Sequence, residues 1–496
     1  MEASFRPKIQ LLSEENLRRI VDEAFQTLSE VGVFVENDEA VELLAGAGAR
    51  VSDDRKRVFI PQALCEKCIA TVPSAYSLYD RSGREVHRIG GDNVLFDPGS
   101  AAILVYDFEA GKIRRPHTRD VIEFVILSNM LPQFKAQSTG VVPADLPENV
   151  ADRYRLFLAL IYGTKPVVTG TLVKEAFATM HAFLSAVRGG DEALREKPLA
   201  IFDCCPSPPL MWSDLTCQAL IDCARSGIPA ELVSMPLTGA TSPVTMAGAL
   251  VQHTAENLSG IVIHQLATPG SPINYGGSPA CFDMRKGTTP MGAVETMMID
   301  SAYAQIGKSF GFPIHAYMAL SDAKKPDYQA GFETAMGATL AALAGINVIS
   351  GPGMLNFESC QSLEKLVLDN EVCGMANRLV EGINCREESL GFELLKEFAE
   401  SKSFLTVEHT RKYFREEVYY PSDVIDRGTH GEWEKQGSLS AAERAHAKVR
   451  AALAKPRLDI LDAAVVKELE ARMTADARKH GLDKLPDWRC RLPGAR

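Results

Sequence analysis

Short apolar runs ending in glycine, small polar or aromatic residues return along the chain at roughly 30 to 40 residue intervals, the repeat of a βα unit in a parallel barrel. From Phe134 onward the alternation predicts strands over 135–141, 166–171, 199–204, 230–236, 273–276, 313–318, 347–350 and 404–407, with helix-length amphipathic segments between them. Each run is followed by small or polar residues, such as Ser138-Thr139-Gly140, Thr169-Gly170-Thr171, Asp203-Cys204-Cys205, Tyr275-Gly276-Gly277, Ser350-Gly351-Pro352 and Glu408-His409-Thr410. In a closed barrel these tails gather at the C-terminal rim of the strands. An open doubly wound sheet alternates in the same way, but it usually carries a glycine-rich phosphate turn. Neither GxGxxG nor GxxxxGK[ST] is found. The expected class is therefore α/β, with a barrel of eight parallel strands.

Composition sets the surroundings of that barrel. With 46% hydrophobic and 24% charged residues the chain can bury a large core, and disorder is not its class. A formal charge of −11 with no Lys/Arg cluster argues against nucleic acid and for a small cation or a protein partner. Eleven cysteines, scattered from Cys65 to Cys490, suit buried thiols in a reducing compartment. Cys65-Glu66-Lys67-Cys68 lacks a second CxxC, so no zinc is expected. The start Met1-Glu2-Ala3-Ser4 has no basic and then apolar stretch, and the expected location is cytoplasmic. The longest uncharged run, 334–357, is broken by Thr, Asn, Ser, Pro and glycine; it reads as a buried helix, a turn and a strand, with no membrane span expected.

Ahead of the barrel, 13–31 carries Leu17, Ile20, Val21, Ala24, Phe25 and Leu28 at helical spacing behind Ser13, a predicted N-cap. A second helix follows over 38–45, and 58–106 alternates short strand-like pieces with turns. The expected division is an N-terminal α+β cap over 1–116, the barrel over 117–435 and a C-terminal helical extension over 436–496. The last helices, 439–454 and 460–480, mix apolar stripes with charge, which suits either a subunit contact in a homo-oligomer or the barrel's flank.

Familiar catalytic signatures are missing: no HExxH, no GxSxG, no paired CxxC and no Asp-x-His-x-x-Gly loop that would bind a corrinoid. The candidates lie near strand ends. Asp283 and Arg285 share one face of extended chain and either point into a pocket or form a structural ion pair at the rim. Tyr275 offers either a ring face to a cation or a core aromatic. In Ser321-Asp322-Ala323-Lys324, a desolvated Lys324 suits a Schiff base, and a solvated loop explains the same residues. Phe96-Asp97 and Phe357-Glu358 are aromatic and acidic pairs fit to line a cationic pocket, or else a turn and a helix start. His315 and His409 receive no role.

These residues give the chain a resemblance. Leu11-Leu12-Ser13-Glu14-Glu15, Tyr275-Gly276-Gly277 with Asp283-Met284-Arg285-Lys286-Gly287, and Ser321-Asp322-Ala323-Lys324 with Asp327-Tyr328-Gln329-Ala330-Gly331 resemble the trimethylamine methyltransferase family over almost the whole length. The resemblance implies a TIM (β/α)8 barrel. It also implies transfer of a methyl group from an amine to the Co(I) of a corrinoid (cobalamin) carried by a separate corrinoid protein, which accounts for the missing corrinoid loop. The trimethylamine enzymes contain pyrrolysine and this chain has none, so it is similar to the non-pyrrolysine members that act on glycine betaine, proline betaine or carnitine. Physical chemistry agrees, since a quaternary ammonium already has a neutral tertiary amine as its leaving group.

The expectation is a quaternary amine methyltransferase, with glycine betaine first among the substrates and no catalytic side chain beyond those that position it. Phe96, Tyr275 and Phe357 would present ring faces to the cation, each worth about 0.5 to 2 kcal/mol, with Asp97 beside them. Arg285 would hold the betaine carboxylate and Asp283 would orient Arg285. Asp322 and Lys324 complete the candidates. The alternatives are a Schiff-base lyase or aldolase at Lys324 and a non-catalytic betaine-binding or scaffold barrel.

Overall fold

Successive residues of a strand face opposite sides, so the alternation inside each short strand decides what the barrel encloses. The computed structural model describes residues 5–401, 403–455 and 461–490. Its eight parallel strands are β1 (Leu95–Asp97), β2 (Gln137–Ser138), β3 (Val167–Gly170), β4 (Ala200–Cys204), β5 (Ala230–Leu232), β6 (Ile273–Gly277), β7 (Ile314–Tyr317) and β8 (Val348–Ser350). Each pairs with the next in sequence from β2 to β8, and β8 pairs with β1. A parallel bridge from Phe96 to Phe134, with Lys135 N donating to Phe96 O at 3.1 Å, brings β1 to the start of β2 and closes the ring.

Strands β2 to β8 fall on the expected runs. The eighth expected strand, 404–407, is instead a loop leading into the helix Glu408–Glu417, with Leu405 83% exposed. The missing strand is β1, which lies within the segment read as the cap. It is three residues long and stops at Pro98-Gly99, too short for a periodic signal.

On the barrel axis Leu95, Ala136, Val168, Ile201 and Val348 meet Leu78 and Ile89 of a β-hairpin, Ala75–Tyr79 with Glu85–Gly90, which plugs the N-terminal mouth. Two residues further along several of the same strands, on the same face, stand Asp97, Ser138, Asp203 and Ser350. The intervening residues, among them Phe96, Phe202, Ile314 and Ile349, face outward into the large core shared with the helices.

That outer layer begins with α1 (Glu14–Gln26), whose cap Ser13 accepts from Asn16 N at 3.2 Å as expected. The barrel helices are α2 (Thr118–Met130), α3 (Ala151–Tyr162), α4 (Ala176–Arg188), α5 (Asp214–Ser226), α6 (Met246–Ala267), α7 (Val294–Ser309), α8 (Tyr328–Leu343) and α9 (Leu363–Val380). Two C-terminal helices lie on the barrel's flank: α10 (Ala441–Ala454) against α2 and α9, and α11 (Ala463–Lys479) against α3 and α4. Covered on both sides, α3 is buried around its whole circumference. Cys65 and Cys68 are buried thiols on the helix Gln62–Ile69, and burial pushes Cys65 up to about 12. Among the described residues no helix is long and apolar enough to cross a membrane.

Strand β6 needs its glycines. A Cβ at Gly276 would stand 2.3 Å from His315 O and one at Gly277 2.3 Å from Ser234 O, and neither backbone oxygen can step aside. Gly276→Ala is expected to lower stability by about 1–3 kcal/mol, whereas Gly46→Ala should change it by less than about 0.5 kcal/mol. Nothing lies within 4 Å of a Cβ at Gly46. Chemical denaturation of the two variants checks this, and equal midpoints would contradict it.

Candidate functional site

Above the apolar plug the axis turns polar. Asp97, Asp203, Glu231, Asn274, His315, Tyr317 and Ser350 converge there from six of the strands, tied to one another and to Tyr76 of the plugging hairpin. Ser350 Oγ donates to Asp97 Oδ1 at 2.9 Å, Asn274 Nδ2 to Glu231 Oε2 at 2.9 Å, Tyr76 OH to Asn274 Oδ1 at 3.0 Å and Tyr317 OH to Asp203 Oδ2 at 3.3 Å. Asp203 and Glu231 face each other at hydrogen-bonding range, and Asp203 Oδ1 and Glu231 Oε1 have no other hydrogen-bond partner. Two buried carboxyls so placed cannot both ionise, and they share a proton. Burial raises Glu231 and Asp97 well above the ordinary range and brings Asp203 up to about 6.

His315 Nε2 lies 3.3 Å from Glu231 Oε1, but neither ring nitrogen makes a hydrogen bond. Burial lowers this histidine to about 3, so the contact joins a neutral ring to the carboxyl pair and adds no positive charge.

Asp203, Cys205 and Glu358 lie deep in the protein yet keep accessible surface, so they line a hollow. Glu358 comes from the loop after β8, where Asn356, Phe357 and Glu358 all adopt left-handed backbone, with φ of 53°, 56° and 65°. Such residues cost about 1–3 kcal/mol each and persist only where the surroundings hold them. Here Asn356 N donates to Ala323 O at 2.9 Å and Asn356 Nδ2 to Ser359 Oγ at 2.7 Å, while Ser278 hydrogen-bonds the Glu358 carboxyl. Burial pushes Glu358 up to about 8. Above the acids, Ala102, Val233, Ala280, Met291, Leu320 and Met354 pack with Tyr317 into an apolar collar that restricts water.

The expected site residues divide. Asp97 reaches the axis, but Phe96 beside it faces outward and is fully buried. Tyr275 also faces the helices: its ring stacks on Phe312 at 6.1 Å and its hydroxyl meets Thr254 Oγ1 at 3.1 Å. It cannot touch a ligand in the barrel, because strand parity gives the axis to Asn274. Asp283 and Arg285 form the rim ion pair, 3.1 Å apart, with the Arg285 side chain 89% exposed; this closes a local turn and leaves the guanidinium in solvent.

Asp322 is a clamp. It accepts from Met291 N and Gly292 N at 2.9 Å each and so fixes the segment after β6. Lys324 is exposed, donates to Asp322 O at 2.6 Å and sits 3.6 Å over the half-buried Phe357 ring. A solvated, already engaged lysine does not supply the desolvated amine of a Schiff-base enzyme. His409 lies outside the barrel on the helix Glu408–Glu417. The residues not foreseen are Asp203, Glu231, Tyr317 and Arg155. A signal existed for the first two, since a carboxylate within Ala-Ile-Phe-Asp-Cys or Ala-Glu-Leu is unusual in a buried strand.

A closed parallel barrel with an acid-lined hollow at its C-terminal end is the frame of a TIM-barrel enzyme. The trimethylamine methyltransferase (MTTB) family model matches residues 3–481, and the chain belongs to that family: it is a methyltransferase. It is 33% identical to trimethylamine methyltransferase MttB of Methanosarcina thermophila, over 94% of this chain and 97% of that one. It is 29% identical to the glycine betaine methyltransferase of Desulfitobacterium hafniense (strain Y51), over 96% and 98%. The crystal structure of the Methanosarcina barkeri monomethylamine methyltransferase MtmB superposes with a TM-score of 0.51 at 11% identity, over 91% of this chain and 90% of that one, and shares the fold.

The raised acids make stability depend on pH. Unfolded carboxyls ionise near pH 4, so between about pH 4 and 8 the folded protein binds more protons than the unfolded chain, and stability falls as pH rises. This contribution is complete below the unfolded value and lost on passing about 6 for Asp203 and about 8 for Glu358. Glu358→Gln should remove part of the loss, on the order of 1 kcal/mol once solvent in the hollow is allowed for. Melting temperatures from pH 5 to 8.5 test it: the variant's should fall less than the wild type's, and parallel curves would contradict the assignment.

Proposed function

We propose that this protein moves a methyl group from a small quaternary amine, glycine betaine first among them, to the Co(I) of a corrinoid on a separate corrinoid protein. The observation that carries the reading is the hollow lined by Asp203 and Glu358, with the fully buried Asp97 and Glu231 behind them, beneath an apolar collar on a methyltransferase barrel. A buried acid array selects a cation. The family relationship to an enzyme named for glycine betaine supports the choice of substrate.

The chemistry asks little of the side chains. When bound, the corrinoid supplies the nucleophile, and a tertiary amine leaves without needing a proton. The chain's part is to orient the ammonium and exclude water. Positive charge on nitrogen disappears as the methyl leaves, so a fully ionised carboxylate against it would favour the bound substrate over the transition state. The shared proton between Asp203 and Glu231 tempers that attraction, and Tyr317 adds a ring beside it. At the rim, Ile103, Met235, Val244 and Met284 are exposed on loops after β1, β5 and β6, an apolar border that fits the face of a large macrocycle. The absence of a corrinoid loop from the sequence fits a carrier on another chain.

Anaerobic incubation with cob(I)alamin and glycine betaine, proline betaine or carnitine is expected to consume Co(I) absorbance and yield the demethylated amine, dimethylglycine in the first case. No product from any of the three with competent corrinoid would overturn the proposal. In the same assay Asp203→Asn, which removes the charge that the carboxyl pair carries, should raise the betaine KM by about tenfold, about 1.4 kcal/mol of binding. An unchanged KM would remove the carboxyl pair from the substrate site.

A further inference from the structure

The buried helix α3 carries two arginines two positions apart, about 200° around the helix from one another. Arg153 turns toward α11 and is fully matched: Asp152 at 3.0 Å, Asp476 at 2.5 Å, Asn149 O at 2.6 Å and His480 Nε2 at 3.1 Å. Arg155 is matched almost nowhere. It is 2% exposed, and among the described residues its one hydrogen bond runs from Nη1 to Thr139 O at 2.7 Å, at the C-terminal end of β2. Its Nε has no partner, and it forms no ion pair with any described carboxylate. The ionisable groups within its reach are Asp152 on its own helix, Asp203 of the hollow and the neutral phenol of Tyr317. Asp203 attracts it but takes none of its donors, since one carboxyl oxygen accepts from Tyr317 and the other faces Glu231.

A guanidinium stays charged at neutral pH and offers five donors. Desolvating one with a single donor engaged is costly, and an anion that takes up the remaining donors offsets that cost. We infer that Arg155 seats the anionic end of the substrate, making it the residue that selects zwitterionic quaternary amines over simple cations with the same headgroup. The inference rests on reading the hollow as a quaternary amine site and deepens it: the carboxylate role expected of the solvent-exposed Arg285 passes to a buried arginine beside the acids. Arg155 meets the carboxylate with a planar fork in a dry setting, while the acids on the axis meet the ammonium. The two ends of one small zwitterion thereby match two fixed, opposite charges. Choline, with the ammonium but no carboxylate, leaves Arg155 unpaired.

Calorimetric titration of the full chain with glycine betaine, choline and acetate, for the wild type, Arg155→Gln and Arg155→Lys, tests this. Arg155→Gln should weaken glycine betaine by about 30-fold or more, abolish acetate binding and leave choline within about threefold. It should not lower the melting temperature of the ligand-free protein, as loss of a merely structural arginine would. Should Arg155→Gln fail to fold, Arg155→Lys decides: without the bidentate fork, glycine betaine should bind about fivefold or more weaker with choline unchanged. Equal losses for betaine and choline, or betaine affinity unchanged in either folded variant, would overturn the assignment. Acetate binding that needs Arg155 in a protein that binds no quaternary amine would sink the proposed function and leave Arg155 as an anion seat. Quaternary amine binding indifferent to Arg155 would do the reverse.

Discussion

Asp203 and Glu231 stand face to face inside a ring of parallel strands, and in so dry a place one proton must serve both. Much of the surrounding structure maintains that condition. The hairpin bearing Leu78 and Ile89 keeps water out from below, and the collar of Met291, Leu320 and Met354 restricts it from above. Asn274 satisfies the outer oxygen of Glu231, Tyr317 that of Asp203, and His315 stays neutral alongside. Charge would be cheaper at the rim, where Asp283 and Arg285 pair in solvent. The barrel carries it on the axis, where the proposed quaternary ammonium would meet fixed, incompletely ionised acids.

The same alternation explains what was legible in the sequence. Strands β2 to β8 announce themselves as apolar runs closed by glycine or small polar residues. Strand β1 has only Leu95, Phe96 and Asp97, too few for a period, whereas 404–407 reads as a short apolar run and is a loop leading into a helix. At the site, Asp97 and Glu358 could be picked out from their neighbours, but Phe96 and Tyr275 could not be oriented. In Asn274-Tyr275-Gly276-Gly277 no polar and apolar alternation marks the inward face, which belongs to the asparagine and not to the larger aromatic beside it. The left-handed turn at Asn356, Phe357 and Glu358 contains no glycine to betray it. Arg155 sits in a helix whose burial depends on α11, more than 300 residues later, so no local pattern distinguishes it from a surface arginine.

Whole-chain similarity does not choose the amine. Identities of 33% and 29% connect this chain to relatives named for trimethylamine and for glycine betaine. On the proposed reading, a few buried charges make the distinction. An acid array alone would accept any compact alkylammonium, and the unmatched guanidinium of Arg155 beside it implies a ligand with a negative end.

The most direct test of a cation seat at the barrel axis is a crystal structure of the protein with glycine betaine. The account predicts the trimethylammonium group within about 6 Å of the Tyr317 ring centroid, next to Asp203 and Glu358, with the carboxylate on Arg155. A ligand bound at the rim near Asp283 and Arg285, with the axis occupied only by water, would contradict it.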